Sequence, residues 1–455
     1  MNVARIRRDF PALQGPADER PVYLDSACMS LVPRPVLAAM EEYYREYPGC
    51  AGRSLHRFSE EVGRRYEGAR ERFARFLGRS DPRGVVFLRN ATEAINLVAQ
   101  GLPWRKGDRV LISDQEHNSN LVVWQRLAAE RRIRIRVLPL PDDGAFDGDA
   151  LDRELALGVR LVSLFHTSNL DGRSLPVREI VERAHDRGAQ VLIDGCQAAP
   201  HRRVDADRLG AEFYAVSAHK MLGPTGTGVL AAAVGALSEL RPLVVGGETV
   251  EWTTLEEHHL RPPPHRFEAG LQNYAGVLGA ASGIEYLERV GLAAVEELQR
   301  RANEHVSRGL AEEPRVHRLG PGDPRDRPSV FAFTIDGIDP HDVALFLDEG
   351  HRVLVRSGMH CAHAFYAARG LSGNVRASFY LYNDRADAEA LVTGIRELLE
   401  RVPSPTGTSA ATTGRRPRAG PARPRGAGSS GAAARSARPP RTGGRHRAAS
   451  AGGSG

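Results

Sequence analysis

The feature that most constrains this chain is the stretch Val191–Gly228, VLIDGCQAAPHRRVDADRLGAEFYAVSAHKMLGPTGTG. A short apolar run, Val191-Leu192-Ile193, ends on Asp194. A second, Phe213–Val216, delivers Ser217-Ala218-His219-Lys220 and a Gly/Pro/Thr turn. Short apolar runs bounded by turn residues predict buried strands. A strand delivering a carboxylate and another delivering a Ser-x-His-Lys is what a pyridoxal phosphate site needs. The carboxylate pairs with the pyridine N–H, and the amine holds the aldehyde as a Schiff base. Composition sharpens this reading: of 62 Lys+Arg residues only Lys106 and Lys220 are lysine. A lysine kept in so Arg-biased a chain suggests chemistry that an always-charged guanidinium cannot do. The plainer alternative is a surface lysine capping a loop.

Further apolar runs at Val85–Leu88, Arg109–Ile112, Ile133–Leu138, Leu161–Phe165 and Gly228–Ala231 predict more strands. Helical patterns such as Val177–Arg187 separate several of them, which argues for an α/β fold with a mostly parallel, doubly wound sheet. Ligands in such sheets sit beyond the carboxyl ends of the strands. Thr92, His117, Asn169, Asp194 and His219-Lys220 all fall just after strand candidates, on one rim. Arg89-Asn90-Ala91-Thr92-Glu93 also opens a helix at about Ala94–Gln100, and a helix start with Thr makes a phosphate cradle.

Around this core the spacing predicts helices over Pro35–Tyr47 and Phe58–Leu77, joined by a loop holding Arg53 and His56. Downstream, helices are expected over Tyr274–Val290, Gly291–Glu312, Pro340–Glu349 and Ala386–Arg401. Strands are expected over Val330–Ile335, Val353–Val355 and Ala377–Tyr382, with Arg356–His363 as a loop between the last two. The chain therefore divides into an N-terminal segment 1–30 joining the small domain, a large cofactor-binding domain 31–290, a small α+β domain 291–402 and a tail 403–455.

The tail explains the charge. From Pro403 onward there are ten Arg and no Asp, Glu or Lys, so the formal net charge of +6 leaves a body with 52 basic against 56 acidic residues. A nucleic-acid-binding body does not follow, and the tail's Arg/Pro/Gly/Ser/Ala composition reads as disordered. Cys28, Cys50, Cys196 and Cys361 form no CxxC pair and no zinc spacing, so reduced thiols, no metal and a cytoplasmic location are expected. No apolar run fits a signal peptide or approaches about 18 residues, so no membrane span is expected.

The stretches IRRDFPAL, YLDSA, GRSLHRFS, RNATEAINLVA, EHNSN, TSNLDG, VLIDGCQA, SAHKMLGPTGTGVL, RFEAG, VRSGMHCA and VRASFYLYN carry a resemblance. The chain resembles the class V aminotransferase family of pyridoxal phosphate enzymes (PLP-dependent transferase fold type I), and within it the SufS-type cysteine desulfurases and selenocysteine lyases. The resemblance implies a homodimer that converts L-cysteine to L-alanine and leaves the sulfur as a persulfide on Cys361, for transfer to a sulfur-acceptor protein. The alternative is another class V enzyme, a C–S lyase, epimerase or aminotransferase acting on a related amino acid, with Cys361 not a nucleophile.

By the same resemblance Lys220 is the Schiff-base lysine, Asp194 pairs with the pyridinium nitrogen and Gln197 meets the ring hydroxyl. His117 stacks on the ring, and Thr92, Ser217 and His219 hold the phosphate. Asn169 and Arg376 bind the substrate carboxylate, and Arg356, Arg53 and His56 line the entrance, the last two across a dimer interface. Plainer readings stand beside these. His117 could be a loop hydrogen-bonder, Asp194 an N-cap and Arg376 one half of a surface ion pair, with Cys28 and Cys196 buried small hydrophobes. The chain departs from the family in Leu271, where a threonine usually donates to the neighbouring subunit's phosphate, and in Asn90-Ala91 before Thr92.

Overall fold

Seven strands form the central sheet of the computed structural model: β1 (Val85–Leu88), β2 (Arg109–Ser113), β3 (Arg134–Leu138), β4 (Leu161–Phe165), β5 (Gln190–Asp194), β6 (Phe213–Ser217) and β7 (Gly228–Ala232). Their order is β1-β7-β6-β5-β4-β2-β3. Strands β2 to β6 are mutually parallel, and β7 runs antiparallel between β6 and β1. The structure describes residues 2–16, 19–52 and 54–402. The expectation for the 403–455 tail lies outside them.

Both faces of the sheet are covered, and the strand residues divide between them by alternation. Val110, Ile112, Leu192, Phe213 and Ala215 join one apolar cluster; Leu111, Val191, Ile193, Tyr214 and Val216 join another. Successive side chains of a strand point to opposite faces, so a strand buried on both reads as an unbroken apolar run. This is the mostly parallel, doubly wound α/β sheet of fold type I expected from the sequence.

Helices α1 (Arg34–Glu46), α2 (Arg57–Leu77), α3 (Ala91–Gly101) and α4 (Tyr274–Val290) lie close to their expected spans. Helix α4 packs closely on α1 at Gly279, where a Cβ would come within 2.6 Å of Met40 Cγ. A second, antiparallel sheet holds β8 (Val316–Leu319), β9 (Val330–Ile335), β10 (Arg356–Gly358) and β11 (Asn374–Ser378), in the order β8-β9-β11-β10. Val306, Leu347, Leu391 and Ile395 from the helices of this part pack with Phe331, Phe333 and Val375 of its strands. Near the N-terminus Val22–Tyr23 pairs in parallel with Val353–Leu354, and Ser378 donates to Leu24 O at 2.7 Å.

Two local expectations are corrected here. The strand expected at Ala377–Tyr382 is β11, centred on Val375-Arg376, while Phe379–Tyr382 form a buried turn. Tyr380 N donates to Asn383 Oδ1 at 2.8 Å and Asn383 N to Tyr380 O at 3.0 Å. An apolar run signals burial, and burial alone does not separate a strand from a turn packed in the core. The expected loop Arg356–His363 begins as β10, because Arg356 and Ser357 pair with Arg376 and Val375. A hairpin of Val250–Thr253 with His258–Leu260 was not expected within the connector.

Candidate active site

The rim at the carboxyl ends of the parallel strands closes around a cavity of about 260 Å³. Thr92, His117, Asn169, Asp194, Gln197, Ser217, His219, Lys220, Arg356, Cys361 and Arg376 all line it. The structure does not bring His56 there: it is exposed and caps α2, its Nδ1 accepting from Ser59 N at 3.3 Å. Arg53 lies outside the described residues.

One end of the cavity is built at the start of α3. Asn90 caps the helix, accepting from Glu93 N at 3.0 Å, and Ala91 N donates to Ser217 Oγ at 2.9 Å. Thr92 and Ser119 share a hydroxyl hydrogen bond of 2.7 Å. This close approach needs Gly228 on β7, where a Cβ would meet Asn90 Cα at 2.4 Å. The result is a set of hydroxyls beside the positive end of an eleven-residue helix, an arrangement suited to an anion.

Asp194 and Lys220 come from neighbouring strands. Asp194 ends β5 with its Oδ1 accepting from Cys196 N at 3.0 Å, and Lys220 ends the 3₁₀ turn Ala218–Lys220 that follows β6. That turn is pinned from the N-terminal segment: Ser30 N donates to His219 O at 2.8 Å, and Leu222 N donates to Ser30 Oγ at 2.8 Å. Burial, reinforced by the Lys220 charge, pushes His117 down to about 4 and His219 likewise to about 4. Both rings are therefore neutral near pH 7. His117 Nδ1 accepts from Ser119 N at 3.1 Å, which leaves its proton on Nε2.

The far wall belongs to the second sheet. Arg376, 2% exposed, donates through Nη1 to Asn169 O at 2.7 Å and through Nη2 to Asp25 Oδ1 at 3.2 Å. Its Nε is buried without a partner, as is Gln197 Oε1, whose amide nitrogen donates to Ala27 O at 2.6 Å. Both atoms belong to residues lining the cavity, where a bound group can supply the partners they lack. The Cys361 loop is stitched across the cavity: Asn118 N donates to Cys361 O at 2.6 Å, Asn118 Nδ2 meets His363 Nδ1 at 2.8 Å, and Asn169 Nδ2 donates to His360 O at 2.8 Å. His360 and Cys361 hold φ values of 45° and 58°, a left-handed pair that costs backbone energy and persists only because these bonds over-determine it.

These residues fit pyridoxal phosphate. An amine and a carboxylate share one cavity, hydroxyls gather at a helix start, and Gln197 Oε1 awaits a donor. The fold and cavity define a pyridoxal phosphate enzyme of fold type I. The chain belongs to the class V aminotransferases, whose family model (Aminotransferase class-V) matches residues 22–391. A Halobacterium salinarum protein named "Probable cysteine desulfurase" is 38% identical over 403 residues, 87% of this chain and 96% of that one. The apo structure of a cysteine desulfurase from Thermococcus onnurineus NA1 is similar with a TM-score of 0.84 at 36% identity, covering 88% of this chain and 99% of that one. The Escherichia coli cysteine desulfurase CsdA (S-sulfonic acid) gives a TM-score of 0.81 at 32% identity, with 88% and 99% covered.

Three residues at or behind this site escaped the sequence reading. Cys28 lines the cavity instead of being a buried hydrophobe, and Asp25 pairs with Arg376 instead of only making a turn. The YLDSA stretch flagged their neighbourhood, but nothing local showed which way they face. The third is Glu116, beside His117. Fully buried, it accepts from Ser113 Oγ at 2.7 Å, Asn120 Nδ2 at 2.8 Å and Phe165 N at 3.3 Å. Burial outweighs those bonds and raises its carboxyl to about 8.

The folded value lies above the ordinary 4.5, so folding takes up a proton there. This contribution is fully present below about 4.5 and is lost as pH rises through about 8. Glu116→Gln is expected to fold, and its stability relative to wild type should improve steadily across that window. Glu116→Ala, which removes the acceptor from the Ser113 hydroxyl and Phe165 N and leaves Asn120 Nδ2 only Ser163 O, should cost about 1–3 kcal/mol. Urea unfolding at a series of pH values checks both; a Gln variant with the wild-type pH slope would contradict the assignment.

Proposed function

We propose that the protein is a cysteine desulfurase that converts L-cysteine to L-alanine and takes the sulfur onto Cys361. The observation that carries this reading is the placement of Cys361, half-buried, on the same cavity as Lys220 and Asp194. Bound pyridoxal phosphate supplies an electron sink that makes the substrate's α-proton acidic and its β-carbon–sulfur bond breakable. Lys220 would hold the cofactor's aldehyde and, once the substrate amine displaces it, move the proton at Cα. Asp194 would hold the proton on the ring nitrogen, and Gln197 would meet the ring hydroxyl.

Thr92, Ser217 and His219 would hold the phosphate, neutral His219 donating an N–H. Neutral His117 would cover the ring face. Arg376, with a free Nε and a shared Asp25, would take the substrate carboxylate together with Asn169, and Arg356 would guide its entry. The Cys361 thiolate attacks the substrate sulfur: an S–S bond forms, the Cβ–S bond breaks, and its electron pair stays with the carbon skeleton, which leaves as alanine after protonation.

The chain is further proposed to act as a homodimer in the cytoplasm, with Arg53 and His56 reaching the partner's site and a sulfur-acceptor protein drawing on Cys361. The exposed Leu243, Val244 and Leu271, which line one cleft, support a covering second copy. Among the described residues no helix is long and apolar enough to cross a membrane. The division into a large domain 31–290 and a small domain 291–402, with segment 1–30 joining the latter, belongs to the same reading. Incubation with L-cysteine and mass spectrometry tests the function. Alanine should form together with a one-sulfur adduct on Cys361, and Cys361→Ala should lose nearly all desulfuration. A Cys361→Ala variant as active as wild type under reductant would end the proposal.

A further inference from the structure

Two further thiols line this cavity with no part in the reaction above, buried Cys196 and half-buried Cys28. Cys28 sits in the turn after Val22–Tyr23, where Cys28 N donates to Asp25 O at 3.0 Å and Met29 N to the same oxygen at 3.3 Å. Its Sγ accepts a hydrogen bond from Arg356 Nη1. Cys28 and Cys361 are both free, both half-buried, and both on the wall of the one cavity. That cavity is the ligand site described above, with Arg376 Nε and Gln197 Oε1 buried on its wall without partners, so both thiols border bound substrate.

Arg356 places its guanidinium beside the Cys28 sulfur. Cys361 is held by a loop whose backbone is tied to Asn118 and Asn169, and it lines the same cavity as Cys28. The outer sulfur of a protonated persulfide is electrophilic toward a thiolate, and exchange requires that the attacking thiolate have access to it.

We propose that Cys28 is a second sulfur carrier, which takes the outer sulfur of the Cys361 persulfide by thiol exchange inside the cavity. This rests on the desulfurase reading. The Cys28 thiolate attacks the outer sulfur, an S–S bond forms at Cys28, and the S–S bond at Cys361 breaks. The electron pair of the broken bond stays on the Cys361 sulfur, which returns as a thiolate ready for the next substrate. The negative charge passes from Cys28 to Cys361 as the sulfur passes the other way, and no outside oxidant or reductant is required.

The test uses the holoenzyme loaded with L-cysteine without reductant, freed of excess substrate, then alkylated and digested at intervals for mass spectrometry. The one-sulfur adduct is expected first on the Cys361 peptide and later on the Cys28 peptide, the sum of the two staying constant. Cys361→Ser should abolish the adduct at both positions, and Cys28→Ser should retain it at Cys361. An adduct that stays on Cys361 throughout in wild type overturns the relay and leaves the desulfurase reading standing. Absence of any adduct at Cys361 overturns both. A Cys28 adduct in Cys361→Ser equal to wild type shows direct capture and also overturns the relay. The time course in wild type decides the matter even if a variant fails to fold.

Discussion

Replacing Lys220 with alanine is expected to remove turnover and the covalent hold on the cofactor together. Proton transfer by a positioned side chain is worth about 10²–10⁴-fold in rate, and the same amine is here asked to anchor the aldehyde as well. No other lysine can substitute: Lys106, the only other one, is exposed in the turn before β2 and absent from the cavity wall. Wild-type protein reconstituted with pyridoxal phosphate and reduced with borohydride should carry the cofactor on the peptide containing Lys220. The alanine variant should carry none, while still binding cofactor through the helix start and hydroxyls around Thr92. Lys220→Arg should behave like alanine, since a guanidinium keeps the charge but cannot take the aldehyde. Trapped cofactor on Lys106, or rates within tenfold of wild type in Lys220→Ala, would show that position 220 was misassigned.

The largest stability effect is expected at Glu268, in the RFEAG stretch. Its carboxylate accepts from Arg70 Nη1 at 2.7 Å and Nη2 at 3.0 Å, from Tyr66 OH at 3.1 Å and from Phe87 N at 2.8 Å. Arg70 also donates to Val85 O at 2.7 Å. The side chains of this pair are only 2% and 4% exposed. One carboxylate thus ties helix α2, strand β1 and the segment leading into α4.

A buried pair adds little net stability over an apolar alternative, but removing Glu268 leaves buried Arg70 with only the half-exposed Glu67, whose carboxylate meets its Nε at 2.9 Å, at a cost of up to about 3–5 kcal/mol. Glu268→Ala should therefore lower the urea midpoint strongly. Glu268→Gln should cost less, because an amide oxygen still accepts from Phe87 N and Arg70. A loss below about 1 kcal/mol in the alanine variant would mean that Glu67 or water satisfies Arg70 without Glu268. The two experiments separate chemistry from architecture: the first should leave stability intact, and the second should lower stability without altering the mechanism.

Much of the site was legible beforehand, for a physical reason that particular residues make plain. Asp194 and Lys220 each follow an apolar run that can only be a strand buried on both faces. In a parallel sheet every such strand ends on the same rim, so local pattern alone places both groups there. His117, Asn169 and Thr92 follow the same logic. Arg376 and Cys361 were different. Their periodicity said nothing about the cavity, and they were found because the stretches VRASFYLYN and VRSGMHCA resemble a family. The boundary error at β11 shows the limit: Phe379–Tyr382 is apolar and fully buried, yet it turns.

The sequence by itself determined the layered α/β core and the five-point rim, since both follow from strand alternation and the residue after each strand. Only the tertiary structure decided which distant groups face that rim. Asp25 meets Arg376, Cys28 meets Arg356, and the Cys361 loop is tied to Asn118 and Asn169. These partners lie far apart along the chain, and periodicity carries no information beyond a few turns. Their meeting was set by how the second sheet and the N-terminal segment pack, through many small apolar contacts of which no single residue gives notice.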